Sequence, residues 1–539
     1  MVTDRRRSYV RMLLLLVAPL ALFAGSTGPA AAHDDEERER AEALTFRRDQ
    51  RVPRGPGHGS EAHDMRLVGF NDLQARTAYQ PVIQQQGNRW IAYVGHHGER
   101  QLNLLTGIVE PNGTSIVDVT DPARPRYLHH IPGQPCPIDV CINGFVEAGA
   151  AQMVRVCSGD TLPKGVRGRF YLLRVFGNDG HQIWDVTNPE APTLLTTVVS
   201  GLRDTHKSFW ECDTGIAYLV SGQPGWRVTR MTKIYDLSNP TTPAFIRDFG
   251  LVGQQPGGTG TAPVNLHGPI SYKGRVYFGY GTSTLGVLQI VDRKRLLEGD
   301  SSLPPCPLAP ARCDGPGQRF EPTPTNLQFP EIGRLDLFPS AGAHSTFPVL
   351  GVPVPDFADN SLGATRDFVV ITNESLANRC QENRQLVYIA DVSDANNVTK
   401  GAKLFNVSNF QVPEDRGPHK PGFCAVGGRF GSHSSNESFT PIYDGRVMFF
   451  SWFNAGVRAV DIRDPFNPVE IGFYIPATTA NTEERCQTIN GVQECAVVIQ
   501  TNNVDVDDRG YIYIVDRANT GMHILELTGD ARKVANFPR

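Results

Sequence analysis

Short apolar runs with period-two alternation recur along the chain after residue 65, as in "RFYLLRVFG" from Arg169, "RVYFGYG" from Arg275 and "RVMFFSWF" from Arg446. Each run is closed by a cluster of Asp, Asn, Pro or Gly, so each reads as a strand ending in a turn. No sustained 3.6-residue period is present, which excludes long helices. The chain is therefore expected to be all-β.

The alternation is itself repeated. "GTSIVDVTDPARPRYLHHI" begins at Gly113, "GHQIWDVTNPEAPTLLTTV" at Gly180, "MTKIYDLSNPTTPAFIRDF" at Met231 and "GVRAVDIRDPFNPVEIGFY" at Gly456. Weaker copies are "LGVLQIVDRKRLLEGD", "LVYIADVSDANNVTKGAKLFNV" and "TGMHILELTGDARKV". In each, an apolar strand ends in Asp or Glu, a polar turn follows, and a second strand leaves it. Another strand precedes each copy, and a further short segment precedes that. Four strands per unit and seven units predict a seven-bladed β-propeller, with six or eight blades as the neighbouring alternatives. The last unit lacks its outer strand, and "MRLVGF" (Met65 to Phe70) has the pattern to supply it and close the ring. The strand-and-turn unit resembles the LVIVD repeat family over nearly all of the chain after residue 65. That resemblance implies a scaffold and assigns no chemistry.

The first 64 residues depart from this pattern. Positions 1–32 join an arginine-rich start, Arg5 to Arg7 and Arg11, to the apolar run "MLLLLVAPLALFAG" and the small residues Ala30 to Ala32. This is the layout of an export signal. "RRSYVR" resembles the twin-arginine version, with an ordinary secretory signal as the alternative. Residues 33–64 are charged and poor in large apolar groups, and predict a disordered leader before a propeller at 65–539. A formal charge of −4 gives no ground for nucleic-acid binding, and no second apolar span suggests an integral membrane segment. The expected location is secreted or extracytoplasmic. Ten cysteines fit an oxidising compartment. Close spacing pairs Cys136 with Cys141, Cys306 with Cys313 and Cys486 with Cys495. Blade positions make Cys157 with Cys212 and Cys380 with Cys424 reasonable partners.

In a propeller whose strands alternate direction from the axis outward, the connections between blades and the turns between second and third strands share one face. Four histidines fall at the head of the innermost strand in four consecutive units: His206, His267, His344 and His433. Such residues converge beside the axis. Neutral imidazoles suit Cu, Fe or Zn better than Ca or Mg, so the four are expected to hold a transition metal. Gln80, Gln152 and Asn503 occupy comparable positions in the other blades and are expected to meet substrate or water. The turns of that face carry His96, His97, Glu374, Asn454 and Arg517. Glu374 and Glu437 are candidates to orient the histidines, whereas His181 and His523 fall in third strands and are expected to be structural. No GxSxG elbow, P-loop or HExxH motif is present.

The layout resembles that of selenium-binding proteins, which include methanethiol oxidases, and of carotenoid cleavage oxygenases, although neither family's full motifs occur. Propeller lyases that act on acidic polysaccharides are a third analogue. These resemblances imply an exported, metal-dependent enzyme of oxidase, oxygenase or lyase type acting on a small molecule or polysaccharide. The alternative is a secreted binding propeller with structural histidines, its partner met by the loops around "PCPIDVC" and "RGPHKPGFC".

Overall fold

The computed structural model describes residues 59–134, 151–306, 313–359, 362–396, 402–415 and 422–538. The expected signal at 1–32, most of the leader, the Cys136–Cys141 pair and most of the two partner-contact loops lie outside these residues. Among the described residues, seven antiparallel sheets follow one another along the chain, six of four strands and one of five. The innermost strands are Ala78–Gln86, Val154–Ser158, Phe209–Trp210, Leu266–Tyr272, Ser345–Pro353, Ser434–Ser435 and Thr501–Val506. Each packs against the innermost strands before and after it, and the last packs against the first. The result is a closed seven-bladed β-propeller, numbered here as blades one to seven in that order.

The N-terminal segment closes the ring. Met65–Asn71 pairs antiparallel with Met522–Leu527 as the outer strand of blade seven. Just before it, Glu61–His63 adds a fifth strand to blade six beside Val469–Ile475. Regular structure thus begins four residues before position 65, inside the stretch expected to be leader.

The repeat motif is turn chemistry. Where the third strand ends, its aspartate accepts a hydrogen bond from the backbone N–H two residues on: Asp118 from Thr120, Asp185 from Thr187, Asp236 from Ser238 and Asp461 from Arg463, at 2.8–3.0 Å. A second such turn follows at once, with Asp121, Asn188, Asn239 and Asp464 accepting from Ala123, Glu190, Thr241 and Phe466. These paired Asx turns reverse the chain into the outer strand and explain why Asp and Asn recur there. Blade four differs. Asp292 instead caps a short helix, Arg293–Glu298, by accepting from Arg295 N–H, and the outer strand is deferred to Glu331–Asp336.

Alternate strand positions interdigitate between sheets to form the core, as in the cluster of Tyr218, Val220, Phe249, Phe278 and Leu327 that joins blades three and four. Disulfides Cys157–Cys212 and Cys380–Cys424 tie blade two to three and five to six, and Cys306–Cys313 and Cys486–Cys495 staple local loops. Among the described residues no helix is long and apolar enough to cross a membrane.

Candidate metal centre at the propeller axis

The four histidines meet. Their rings follow one another round the axis, with centroids 4.7 Å apart for His206 and His267, 3.4 Å for His267 and His344, and 4.5 Å for His344 and His433. All four are at most 2% exposed. Nε2 of His206 lies 2.9 Å from Nε2 of His267. Nε2 of His344 and of His433 lie 3.5 and 3.7 Å from the Glu374 carboxylate. One potential ligand atom from each of His344, Glu374 and His433 can be chosen so that all lie within 4.8 Å of one another. Glu374, expected only to orient histidines, therefore stands among the candidate donor atoms.

In three of the inner strands a backbone irregularity decides which residue faces the axis. The ladder of Leu266–Tyr272 shifts register between Leu266 and Gly268, so His267 is the extra residue. Similar shifts between Ala78 and Gln80 and between Thr501 and Asn503 make Tyr79 and Asn502 its counterparts. A bulge re-aims a side chain that plain alternation would place elsewhere. Gln80 and Asn503 are thus corrected by one residue. Gln80 instead donates to Glu437 at 3.2 Å, and Asn503 sits 3.2 Å from Ser434 Oγ. Gln152 is buried just ahead of the inner strand of blade two.

A second polar layer contains the residues that follow the axial ones. Lys207 donates to Ser345 Oγ at 2.9 Å and pairs with Glu437, which Arg155 also binds. Glu437 is thereby committed to two cations and makes no contact with the four imidazoles, contrary to the expected orienting role. His96 is likewise committed elsewhere: its ring nitrogens meet the Thr77 carbonyl at 3.1 Å and Ser115 Oγ at 2.6 Å. His97 does adjoin the site. It stands edge-on to Tyr79, with centroids 4.9 Å apart, and accepts from Arg517 Nη2 at 3.0 Å.

Burial is the main reason the four imidazoles have pKa values well below the usual histidine range, and nearby cations lower them further. Arg230, Lys207, Arg429 and Arg517 supply that positive field, each acting on at least one of the four. At neutral pH the cluster presents uncharged rings with lone pairs, the form that ligates metals. His433 Nε2 and the Nδ1 atoms of His206 and His267 are buried without a hydrogen bond. Glu374 is anchored by Arg429 at 3.2 Å and Arg517 at 3.7 Å. Both guanidiniums lie against the ring of Phe453, at 5.4 and 5.5 Å. Phe453 itself has a φ of 32°, a left-handed value that a bulky residue adopts only when its surroundings impose it.

Sequence reasoning placed Arg517 on this face but missed Tyr79, Arg429, Lys207 and Phe453. A cleft of about 570 Å³ on the same face reaches the cluster, lined among others by Asp204, Arg230, Asn265, Thr282 and His267.

No family model matches the chain, and no curated protein matches it. Among solved structures, the crystal structure of the C-terminal WD40 domain of Sif2 aligns with 86% of this chain and 99% of that one, at 7% identity and a TM-score of 0.43.

Proposed function

We propose that the chain is an exported metalloprotein whose axial cluster holds a transition metal, Cu, Fe or Zn, through His206, His267, His344 and His433 with Glu374. The observation that carries this reading is the convergence of four buried, neutral imidazoles from four consecutive blades with one carboxylate, Glu374 of blade five. A structural histidine is served by a conventional hydrogen-bond partner; here Nε2 of His206 faces Nε2 of His267, and one ring nitrogen of each of the four is buried without a hydrogen bond. A transition metal held with an open coordination position supplies Lewis-acid or dioxygen chemistry. The chain's own part is to fix the donors, exclude bulk water and admit substrate through the cleft that reaches His267. On this reading the protein is an enzyme of oxidase, oxygenase or lyase type acting on a small molecule or polysaccharide, and its blades are LVIVD-type repeats. Four disulfides support an oxidising location.

The test is the metal content of protein purified through its native export route, set beside a variant with all four histidines changed to Ala. Stoichiometric metal in the first and its loss in the second is the expected result. Metal absent from both, or equal in both, overturns the reading. A panel of thiol, phenolic and polysaccharide substrates on metal-loaded protein then sorts the reaction class.

One observation favours the binding-protein alternative. Between the second and third strands of blade one, the hairpin Arg100–Asn103 with Ile108–Pro111 exposes Leu104 and Ile108 by 66% and 60%. An apolar tip of this kind suits contact with a partner. If deleting it leaves metal content intact and abolishes capture of a ligand, the propeller is a binding platform.

A further inference from the structure

Tyr79 is the axial residue of blade one, 1% exposed, and no motif pointed to it. Its hydroxyl lies 3.4 Å from His206 Nε2 and 3.3 Å from His267 Nε2, and those nitrogens are 2.9 Å apart. Three donor atoms therefore form a triangle with one short side and two longer, near-equal ones. Ligand atoms held about 2.0–2.1 Å from one ion lie about 2.9 Å apart at right angles and about 3.3–3.4 Å apart at tetrahedral angles. The triangle has the dimensions of one face of a coordination polyhedron.

Hydrogen bonding alone accounts for it less well. Two Nε2 atoms facing each other at 2.9 Å hold one proton between them, and a phenol brings one more. A phenol that served one imidazole would need only one short contact, yet this one is equidistant from two. Its position is also built. The Tyr79 carbonyl accepts from Asn502 Nδ2 at 3.0 Å, and its ring stands edge-on to His97, His206 and His433, with centroids 4.9, 5.6 and 5.9 Å away.

The geometry points to Tyr79 as a metal ligand on the His206–His267 side of the cluster. This inference rests on the axial cluster being a metal site. On binding, the oxygen–metal bond replaces the O–H bond, the proton leaves to solvent, and no electrons are transferred.

Copper(II) is the probe, because a copper-bound phenolate absorbs in the visible and imidazole ligands alone do not give that band. Full-length apoprotein is loaded with copper(II), and copper content and the visible spectrum are read for the parent and for Tyr79→Phe. The expected result is bound copper with a phenolate-to-copper band in the parent. The variant should lose the band and bind copper ~10–100-fold more weakly. Copper bound by the parent without the band overturns the ligand role and leaves the metal site standing, as does a band unchanged in Tyr79→Phe. A parent that binds no copper, iron or zinc overturns both readings. The parent spectrum alone decides the point if the variant fails to fold.

Discussion

His433 donates from Nδ1 to the backbone carbonyl of Asn502, 2.6 Å away. A carbonyl only accepts, so the proton sits on Nδ1 and the Nε2 lone pair is free on the side of Glu374. One backbone atom of blade seven thereby fixes the tautomer of a ring in blade six.

Glu374 is the anionic centre of that arrangement, between two imidazoles and two guanidiniums. Glu374→Gln keeps the shape and removes the charge, leaving the buried Arg517 and the partly buried Arg429 against a neutral amide. The expected cost is about 3 kcal/mol, read from urea or guanidinium unfolding at pH 7. Metal affinity should fall ~10–100-fold in the same variant, read by competition with a chelator.

The second layer predicts an acid response. Burial pushes the Glu437 carboxyl up, but the charges and hydrogen bonds of Lys207 and Arg155 outweigh it and hold the pKa down to about 2. The folded value is below the unfolded one, so this stabilisation is present above about pH 4.5 and is lost as the pH falls toward 2. It amounts to about 3 kcal/mol. Asp505 works in the opposite sense. Burial raises its pKa to about 6, so it costs stability as the pH climbs from about 3.8 through 6. Unfolding free energy measured against pH should lose its Glu437 slope below pH 4.5 in Glu437→Gln, and Asp505→Asn should remove the loss between pH 4 and 6.

A second acid-sensitive point lies at the ring seam. His523 faces Phe70 of the closing strand, with ring centroids 4.9 Å apart, and burial pushes its pKa down to about 4. The unfolded chain takes up the proton first, so stability falls as the pH drops from about 6.5 toward 4, by about 3 kcal/mol in all. His523→Phe keeps an aromatic ring against Phe70 and should remove most of that fall. Protection factors for amide exchange in Met65–Asn71, taken relative to the intrinsic rate at each pH, should fall over the same pH range in the parent.

Gly268 follows the axial His267. A Cβ there would stand 2.7 Å from Cγ and Cδ of Lys207, whose ammonium is pinned by Glu437 and Ser345. Gly268→Ala should therefore displace the lysine stem and cost about 1–3 kcal/mol, read as a lower midpoint in thermal unfolding. Lys207→Met costs stability of its own by unpairing Glu437, but in a double-mutant cycle the Gly268→Ala penalty should be smaller in that background than in the parent.

Much of this site was legible in the chain because repetition gives residues an address. His206, His267, His344 and His433 share one position relative to the strands that follow, and that alone brought them to the axis. Glu374 and Arg517 could be placed on the right face by counting turns. The limits came from bulges. Period-two alternation carries no mark of an inserted residue, so it points to Gln80 and Asn503 where the structure has Tyr79 and Asn502. Salt bridges between blades far apart in sequence are equally silent, so nothing local to Glu437 marks Lys207 and Arg155 as its partners. The deferred outer strand of blade four was hidden for a related reason. Asp292 can open an Asx turn or cap a helix, and only the residues after it decide.

The closing pair, Met65–Asn71 with Met522–Leu527, also sets an order of events. An early strand must wait for the last of the described ones, and long-range pairing of this kind is slow because loop-closure entropy comes before any contact rewards it. Until the ends join, blade one has no blade seven beside it. The Asn502 amide cannot then hold the Tyr79 carbonyl in place. The Tyr79 corner of the axial cluster is thus a record of closure: it takes its final shape only once blade seven stands beside blade one.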